Sequence, residues 1–243
     1  MESYRDAYGH QIYDYLKGKK DVSEIVERDD GFFGVSTGVK NYFSEYRNWH
    51  KREREAMQYV SGKVLDVGCG AGRVSLYLQK KGFDVLGVDV SPLAIRACKM
   101  RGLKNARVMS ITRLSSKLGI FGTVMMFGNN FGLFGGRKRA KWLLERFYRM
   151  TTENARIIAE SADPYKTNEP AHLQYHRLNR RRNRMAGQVR IRVRYKKYVT
   201  PWFDYLLVSK AEMRNILSGT GWRLKRTLGS SDSPAYIAII EKR

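Results

Sequence analysis

The chain has 243 residues, 42% of them hydrophobic, enough for one large domain with a substantial core. Lys and Arg number 46 against 23 Asp and Glu, a net charge of +23 that suits a polyanionic partner or, more blandly, general solubility. Cys69 and Cys98 are too few for a disulfide framework or a zinc site, and no apolar run is long enough to span a bilayer. His10, His50, His172 and His176 lack metal spacing, and MESYRDAYGH lacks the apolar stretch of a signal peptide. A cytoplasmic protein with no metal and no membrane anchor is expected.

Residues 1–60 read as a polar, helical cap with interspersed aromatics, and DDGFFGVSTG as a loop within it. The charge of this part is near balance, with 10 basic and 11 acidic side chains. From position 63 the pattern alternates. KVLDVG reads as a strand and GRVSLYLQKK as a helix; FDVLGVD is a strand, and SPLAIRACKMRG a helix with Ser91 as N-cap and Pro92 in its first turn. ARVMS and FGTVMMFG are strands, RKRAKWLLERFYRM a helix and ARIIAES a strand. Such alternation predicts an α/β fold with a parallel sheet and helices on both faces. Residues 164–204 break it. No acid lies between Glu169 and Asp204, while ten basic residues do. HRLNRRRNR reads as a helix and turn, and QVRIRVRYKKYV as a strand with Arg190, Arg192, Arg194 and Lys196 on one face and Val189, Ile191, Val193 and Tyr195 on the other. SKAEMRNILSGTGW is a helix, and WRLKRTLG with AYIAIIEK a final strand pair.

VLDVGCGAGR joins the first core strand to its helix. Gly68, Gly70 and Gly72 allow a sharp turn and close approach to a ligand, Cys69 lies within the turn, and Asp66 precedes it. The spacing G-x-G-x-G differs from the G-x-G-x-x-G of a dinucleotide site. The second strand ends in Asp89, followed by Val90, where a carboxylate can accept both hydroxyls of a ribose.

With Asp66, Gly68, Gly70, Gly72 and Asp89 the chain resembles the class I S-adenosylmethionine-dependent methyltransferases over roughly residues 60–160 and the terminal strand pair. The resemblance implies a Rossmann-like, seven-stranded sheet whose last strand is antiparallel. It implies S-adenosylmethionine as cofactor, its ribose on Asp89 and its methionine portion at the glycine loop. Many relatives place an acid near the adenine amine at the end of strand three; Ser110 and Ile111 stand there in this chain. The expected organisation is a single domain: cap 1–60, cofactor-binding core 61–163, basic insertion 164–204, and C-terminal helix with strand pair 205–243.

In this family the fourth strand ends beside the transferable methyl, which points to FGNNFGLFGG, residues 127–136. Direct methyl displacement draws mainly on alignment and desolvation. An exocyclic base amine needs more, because its lone pair is delocalised into the ring. Acceptors on the amine hydrogens favour a tetrahedral nitrogen, and an Asn side-chain oxygen with a backbone carbonyl supplies two. Asn129-Asn130-Phe131 resembles the Asn/Asp-Pro-Pro-aromatic motif of base-amine methyltransferases without its prolines, with Gly128 before it and Phe131 as the stacking ring. A cofactor-contacting turn of a small-molecule enzyme is the competing reading.

Asp163-Pro164-Tyr165 offers a second wall, or a strand-terminating turn; Trp202, Phe203 and Tyr205 offer base-stacking rings, or core aromatics. Asp29 and Asp30 close over the cofactor or simply solvate a loop. Arg137, Lys138, Arg180, Arg181, Arg182, Arg190, Arg192, Arg194, Tyr165 and Trp202 are the candidate RNA contacts. Taken whole, the chain is similar to archaeal enzymes that methylate cytosine N4 in small-subunit ribosomal RNA. That predicts rRNA or the small subunit as partner, with one methyl or two. The rivals are a small-molecule methyltransferase, methylation of a basic protein (disfavoured by charge repulsion) and a non-enzymatic RNA assembly factor on the same fold.

Overall fold

A computed structural model describes residues 2–20, 22–36 and 38–243. In chain order the elements are α1 (Ala7–Leu16), β1 (Glu24–Arg28), β2 (Phe33–Ser36), α2 (Lys51–Ala56), β3 (Val64–Val67), α3 (Arg73–Lys80), β4 (Val85–Asp89), α4 (Pro92–Met100), β5 (Ala106–Val108), β6 (Phe121–Met126), α5 (Arg137–Arg149) and β7 (Thr151–Ala162). They continue with α6 (Pro170–Arg181), β8 (Gln188–Tyr195), β9 (Tyr198–Val199), β10 (Phe203–Leu206), α7 (Lys210–Leu217), β11 (Trp222–Leu228) and β12 (Ala235–Lys242).

Local chemistry sets several of these boundaries. Ser91 caps α4, its Oγ accepting from Ala94 N at 2.9 Å, and Pro92 opens the first turn. Ser209 and Glu212 form a reciprocal capping box on α7. β6 is buried along its whole length, FGTVMM, as a central strand covered on both faces must be.

Seven strands form the main sheet in the order β11-β12-β7-β6-β3-β4-β5. β4 with β5 and β6 with β7 are parallel, while β12 runs antiparallel to both β7 and β11. The expected Rossmann-like sheet with an antiparallel last strand is therefore present. A second sheet, ordered β10-β8-β1-β2 with β9 on β8, is not foreshadowed by the sequence pattern. The first sixty residues are not simply helical: Glu24–Arg28 and Phe33–Ser36 form an antiparallel hairpin, partly inside the expected loop. Neither strand is long enough to show its period by itself. The hairpin is stabilised by a distant partner, with β1 pairing antiparallel to β8 from Ile25↔Arg194 to Arg28↔Ile191.

The chain packs as two compact units. One comprises Met1–Trp49, Leu65–Arg113 and Arg190–Phe203; the other comprises His50–Val64, Leu114–Val189 and Asp204–Arg243. The residues expected to form one basic insertion are thus divided between them. In the first unit Ala7, Val22, Val39, Val193 and Tyr195 form a small core with Val26 and Tyr42 against it. Glu24 shares the inward face of β1 with Val26 and is 4% exposed; Ser36, its cross-strand neighbour, supplies a hydrogen bond, while Oε2 has no partner among the described residues.

Burial pushes the Glu24 carboxyl up to about 7, against the Ser36 hydrogen bond. The folded state therefore holds this proton more tightly than the unfolded chain. The stability so gained is complete below the unfolded value and is lost as pH rises through 7. Glu24→Gln should remove that loss, gaining on the order of 3 kcal/mol at pH 8 relative to the parent and little at pH 4. Urea denaturation at both pH values measures it; an equal effect at each would show that Glu24 is ionised throughout.

Candidate functional site

The first unit holds the glycine loop. Gly68, Gly70 and Gly72 have φ of 73°, 55° and 79°, the left-handed region that a side chain would strain. Gly68 N and Cys69 N both donate to the Val88 carbonyl of β4, at 2.8 and 3.1 Å. Gly70 has a second constraint, because a Cβ there would sit 3.1 Å from the Tyr42 ring. Tyr42 is thus part of the loop's wall, and burial with the nearby Glu24 and Asp89 carboxylates raises its hydroxyl's pKa. Cys69 and Cys98 lie side by side, Sγ to Sγ 3.9 Å, both buried, with Cys98 Sγ donating to Gly70 O at 3.1 Å.

Asp89 ends β4 with a carboxylate already in use. Oδ2 accepts from Gly70 N at 3.0 Å and Oδ1 from Ser91 N at 2.9 Å. Each oxygen keeps a further lone pair, so two hydroxyl donors can still be accepted. Burial raises its pKa, against the bonds from Ser91 and Gly70. Asp66 serves the scaffold instead. It is buried, and its Oδ2 accepts from Ser75 Oγ at 2.6 Å, fixing α3 to β3. Burial pushes Asp66 up to about 6, against the Ser75 bond.

Met109 N donates to Asp89 O at 2.7 Å, which sets the ends of β4 and β5 side by side. Val90 is exposed there, Ile111 is buried, and Ser110 Oγ is bonded to Thr112. Asp6, which no sequence motif marks, organises the same corner. Its Oδ1 caps α1 through Gly9 N and its Oδ2 accepts from Ser91 Oγ at 2.9 Å and Leu93 N at 3.3 Å. Asp30 does not stand free over a ligand; it is clasped by Arg28 at 2.7 and 2.8 Å. Asp29 N donates to Arg190 O at 3.0 Å.

The second unit holds the asparagine loop. Gly128 and Asn129 are both left-handed, with φ of 68° and 61°. Both amides donate to Glu160 Oε2 on β7, at 2.7 and 3.3 Å, and Glu160 Oε1 pairs with Arg52 at 3.0 Å. The Asn129 carbonyl accepts from Gly132 N at 2.8 Å and from Tyr205 Oη at 2.6 Å. It is saturated, so any second acceptor for an amine must come from another group. Asn129 Oδ1 is buried and has no partner among the described residues.

Phe131 corrects an expectation. Its ring is fully buried and meets Phe134 edge-on at 4.8 Å, so it belongs to the core rather than to a stacking platform. Trp202 lies under the Arg192 guanidinium, 4.5 Å from its ring centre. Tyr165 is 45% exposed, but its hydroxyl donates to Glu212 at 2.8 Å and Arg180 also bonds it. The β8 cations are less available than the sequence suggests. Arg192 and Arg194 both pair with Glu27, at 2.7 and 2.6 Å, and hold its carboxyl at about 2; Lys196 pairs with Asp14. Arg190, too, makes interactions within the protein. Arg137, Lys138, Arg139, Arg177, Arg180, Arg181 and Arg182 are exposed. The described residues contain no cluster suited to a metal and no helix long and apolar enough to cross a membrane.

Residues 64–154 match the sequence profile of a methyltransferase domain. A SAM-dependent methyltransferase from Bacteroides fragilis, solved with S-adenosyl-L-homocysteine, aligns over 100% of this chain and 97% of its own with a TM-score of 0.83 and 22% identity. A 2-heptyl-1-hydroxyquinolin-4(1H)-one methyltransferase of Mycobacteroides abscessus is 39% identical over 72 residues, 27% of this chain and 32% of that protein. The ribosomal RNA small subunit methyltransferase C of Alcanivorax borkumensis is 56% identical over 36 residues, 15% of this chain and 11% of that protein. The chain thus spans about a third of the first curated relative and about a tenth of the second. The fold is that of the methyltransferases it aligns with, and residues 64–154 match the methyltransferase domain profile.

The residues present fit S-adenosylmethionine, the cofactor that the resemblance implies: Gly68, Gly70 and Gly72 carry no side chain and Asp89 has spare acceptor capacity. Asp89→Ala removes the tie on Gly70 and the carboxylate expected to accept the ribose hydroxyls. Calorimetric titration with S-adenosylmethionine should show affinity lowered at least roughly tenfold, as loss of a charged hydrogen-bond partner implies. Unchanged affinity would refute the assignment.

Proposed function

We propose that this protein is an S-adenosylmethionine-dependent methyltransferase of an N–H nucleophile, an exocyclic base amine in RNA, with cytosine N4 of ribosomal RNA as the first target. One observation carries the reading. Asn129 Oδ1 is a buried acceptor without a protein donor among the described residues, on the loop that leaves β6, the fourth core strand. Such an atom costs stability unless a donor meets it. A substrate N–H does so, and accepting that hydrogen favours the nitrogen lone pair for attack on the cofactor methyl.

Charge supports RNA as the carrier of the amine. Arg137, Lys138 and Arg139 occupy the first turn of α5, immediately after the loop, with no acid among them. Cations at the positive end of a helix cost roughly 0.3–1 kcal/mol each, a cost that a bound polyanion reverses. Gln188 joins this turn to α6: its side chain lies against Gly136, and its carbonyl accepts from Asn179 Nδ2 at 2.7 Å. Arg177, Arg180 and Arg181 on α6 are exposed. The resulting surface belongs to one unit and adjoins the asparagine loop.

A second reading, a small-molecule amine as substrate, is favoured by the engagement of Arg192 and Arg194 with Glu27 and of Trp202 with Arg192. The deciding experiment incubates the protein and labelled S-adenosylmethionine with unmodified ribosomal RNA, small subunits, transfer RNA and a metabolite extract. Label in N4-methylcytidine after nucleoside digestion is the expected result. Label confined to small molecules would establish the second reading instead.

Asn129→Ala should leave S-adenosylmethionine affinity intact and lower turnover roughly 100-fold, as loss of a positioned proton acceptor does. Normal turnover would remove Asn129 from the mechanism. Replacing Arg180, Arg181 and Arg182 together by Ala should weaken RNA binding and reduce its salt slope by about 2. An unaltered slope would return these residues to a solvated face.

A further inference from the structure

We propose that Glu160 and Tyr205 are positioning residues for methyl transfer, a clamp that supplies the rigidity a proline would otherwise give the Gly128–Asn129 turn. The proposal rests on the reading of Asn129 as the acceptor for the nucleophile. Two successive left-handed residues turn their amides toward one point, making a small anion-binding nest. The anion in this nest is the protein's own Glu160 Oε2. Arg52 balances that charge on the other carboxylate oxygen.

From the opposite side, Tyr205 Oη donates to the Asn129 carbonyl at 2.6 Å. A Cβ on Gly132 would fall 2.3 Å from the Tyr205 ring, so the glycine is what admits this ring. Asn129 is thus held at its amide and at its carbonyl, while its side-chain oxygen takes no part in the clamp.

Fold stability alone does not account for the arrangement. It combines a carboxylate whose side chain is 7% exposed, a left-handed non-glycine residue and a buried acceptor with no donor among the described residues. Each is unfavourable by itself, and a plain turn needs none of them. Together they fix one side-chain atom relative to a rigid strand, which is what an alignment-driven reaction requires.

The test compares Tyr205→Phe, Glu160→Gln and Glu160→Ala with the parent and with Asn129→Ala. Labelled S-adenosylmethionine is the donor, and total cellular RNA and a metabolite extract are both offered as acceptors. Amide exchange at Gly128 and Asn129 is followed by NMR and cofactor affinity by calorimetry. We expect unchanged affinity, faster exchange at those two amides in the Glu160 variants, and kcat lowered by roughly 100-fold in Glu160→Ala, the scale of a small misplacement. Glu160→Gln, which keeps one acceptor oxygen, should fall between Glu160→Ala and the parent. Tyr205→Phe, which keeps the ring, should lose kcat without loss of cofactor affinity.

Faster exchange with unchanged kcat would overturn the clamp. If Glu160→Ala does not fold, Glu160→Gln and Tyr205→Phe decide the matter by the same split. Slow turnover in the clamp variants with normal turnover in Asn129→Ala would support the clamp and sink the acceptor role of Asn129, so the two ideas fail separately.

Discussion

One half-buried carboxylate organises the first unit. Asp89 accepts the amide of Gly70 on one oxygen and that of Ser91 on the other. The first bond sets the glycine turn; the second sets the start of α4. Ser91 then passes the constraint on, its hydroxyl bonding Asp6, which caps α1. A strand end, a ligand loop and two helix N-termini therefore share one set of charge-assisted bonds, stronger than their neutral equivalents. Backbone that must stay bare of side chains to approach a ligand cannot be fixed by packing. A carboxylate on a rigid strand fixes it instead.

The second unit repeats this solution. Glu160 on β7 accepts from Gly128 and Asn129, as Asp89 on β4 accepts from Gly70 and Ser91. In each case the acid stands on a strand and at least one of the amides belongs to a glycine turn. The difference lies in what remains. Asp89 keeps spare lone pairs for ligand hydroxyls, whereas Glu160 commits its second oxygen to Arg52. Glu160 is for that reason proposed as a support, and Asn129 Oδ1, buried without a partner among the described residues, as the acceptor.

This division explains what is legible in the sequence. The glycine loop, Asp89 and the cap on α4 lie close together along the chain, and local rules locate all of them. The clamp on Asn129 comes from Glu160 and Tyr205, 31 and 76 residues away. Glu160 sits in a strand whose alternation announces only burial, and Tyr205 reads as one more aromatic on an added strand. The β1 hairpin escapes local rules for a similar reason: five and four residues show no clear period, and the partner β8 lies far along the chain. Phe131 misleads because a ring beside two asparagines looks the same in sequence whether it faces outward or inward. Tertiary packing decides for the interior.

Charge is where sequence and structure bear on each other most. A net +23 counts every cation alike, but the fold sorts them. Of the alternating arginines of β8, the most regular basic feature in the sequence, Arg192 and Arg194 are matched to Glu27, and Lys196 just beyond the strand to Asp14. They help join the hairpin to the strand it pairs with, and salt should weaken them little where they are half-buried. Arg137, Lys138 and Arg139 on α5 and Arg177, Arg180 and Arg181 on α6 are exposed instead. Their cost at the start of α5 is set by the helix dipole, and a bound polyanion reverses it. A surface that carries such a cost next to a buried acceptor is consistent with the proposed substrate, since RNA brings a negative backbone and an N–H group on one molecule.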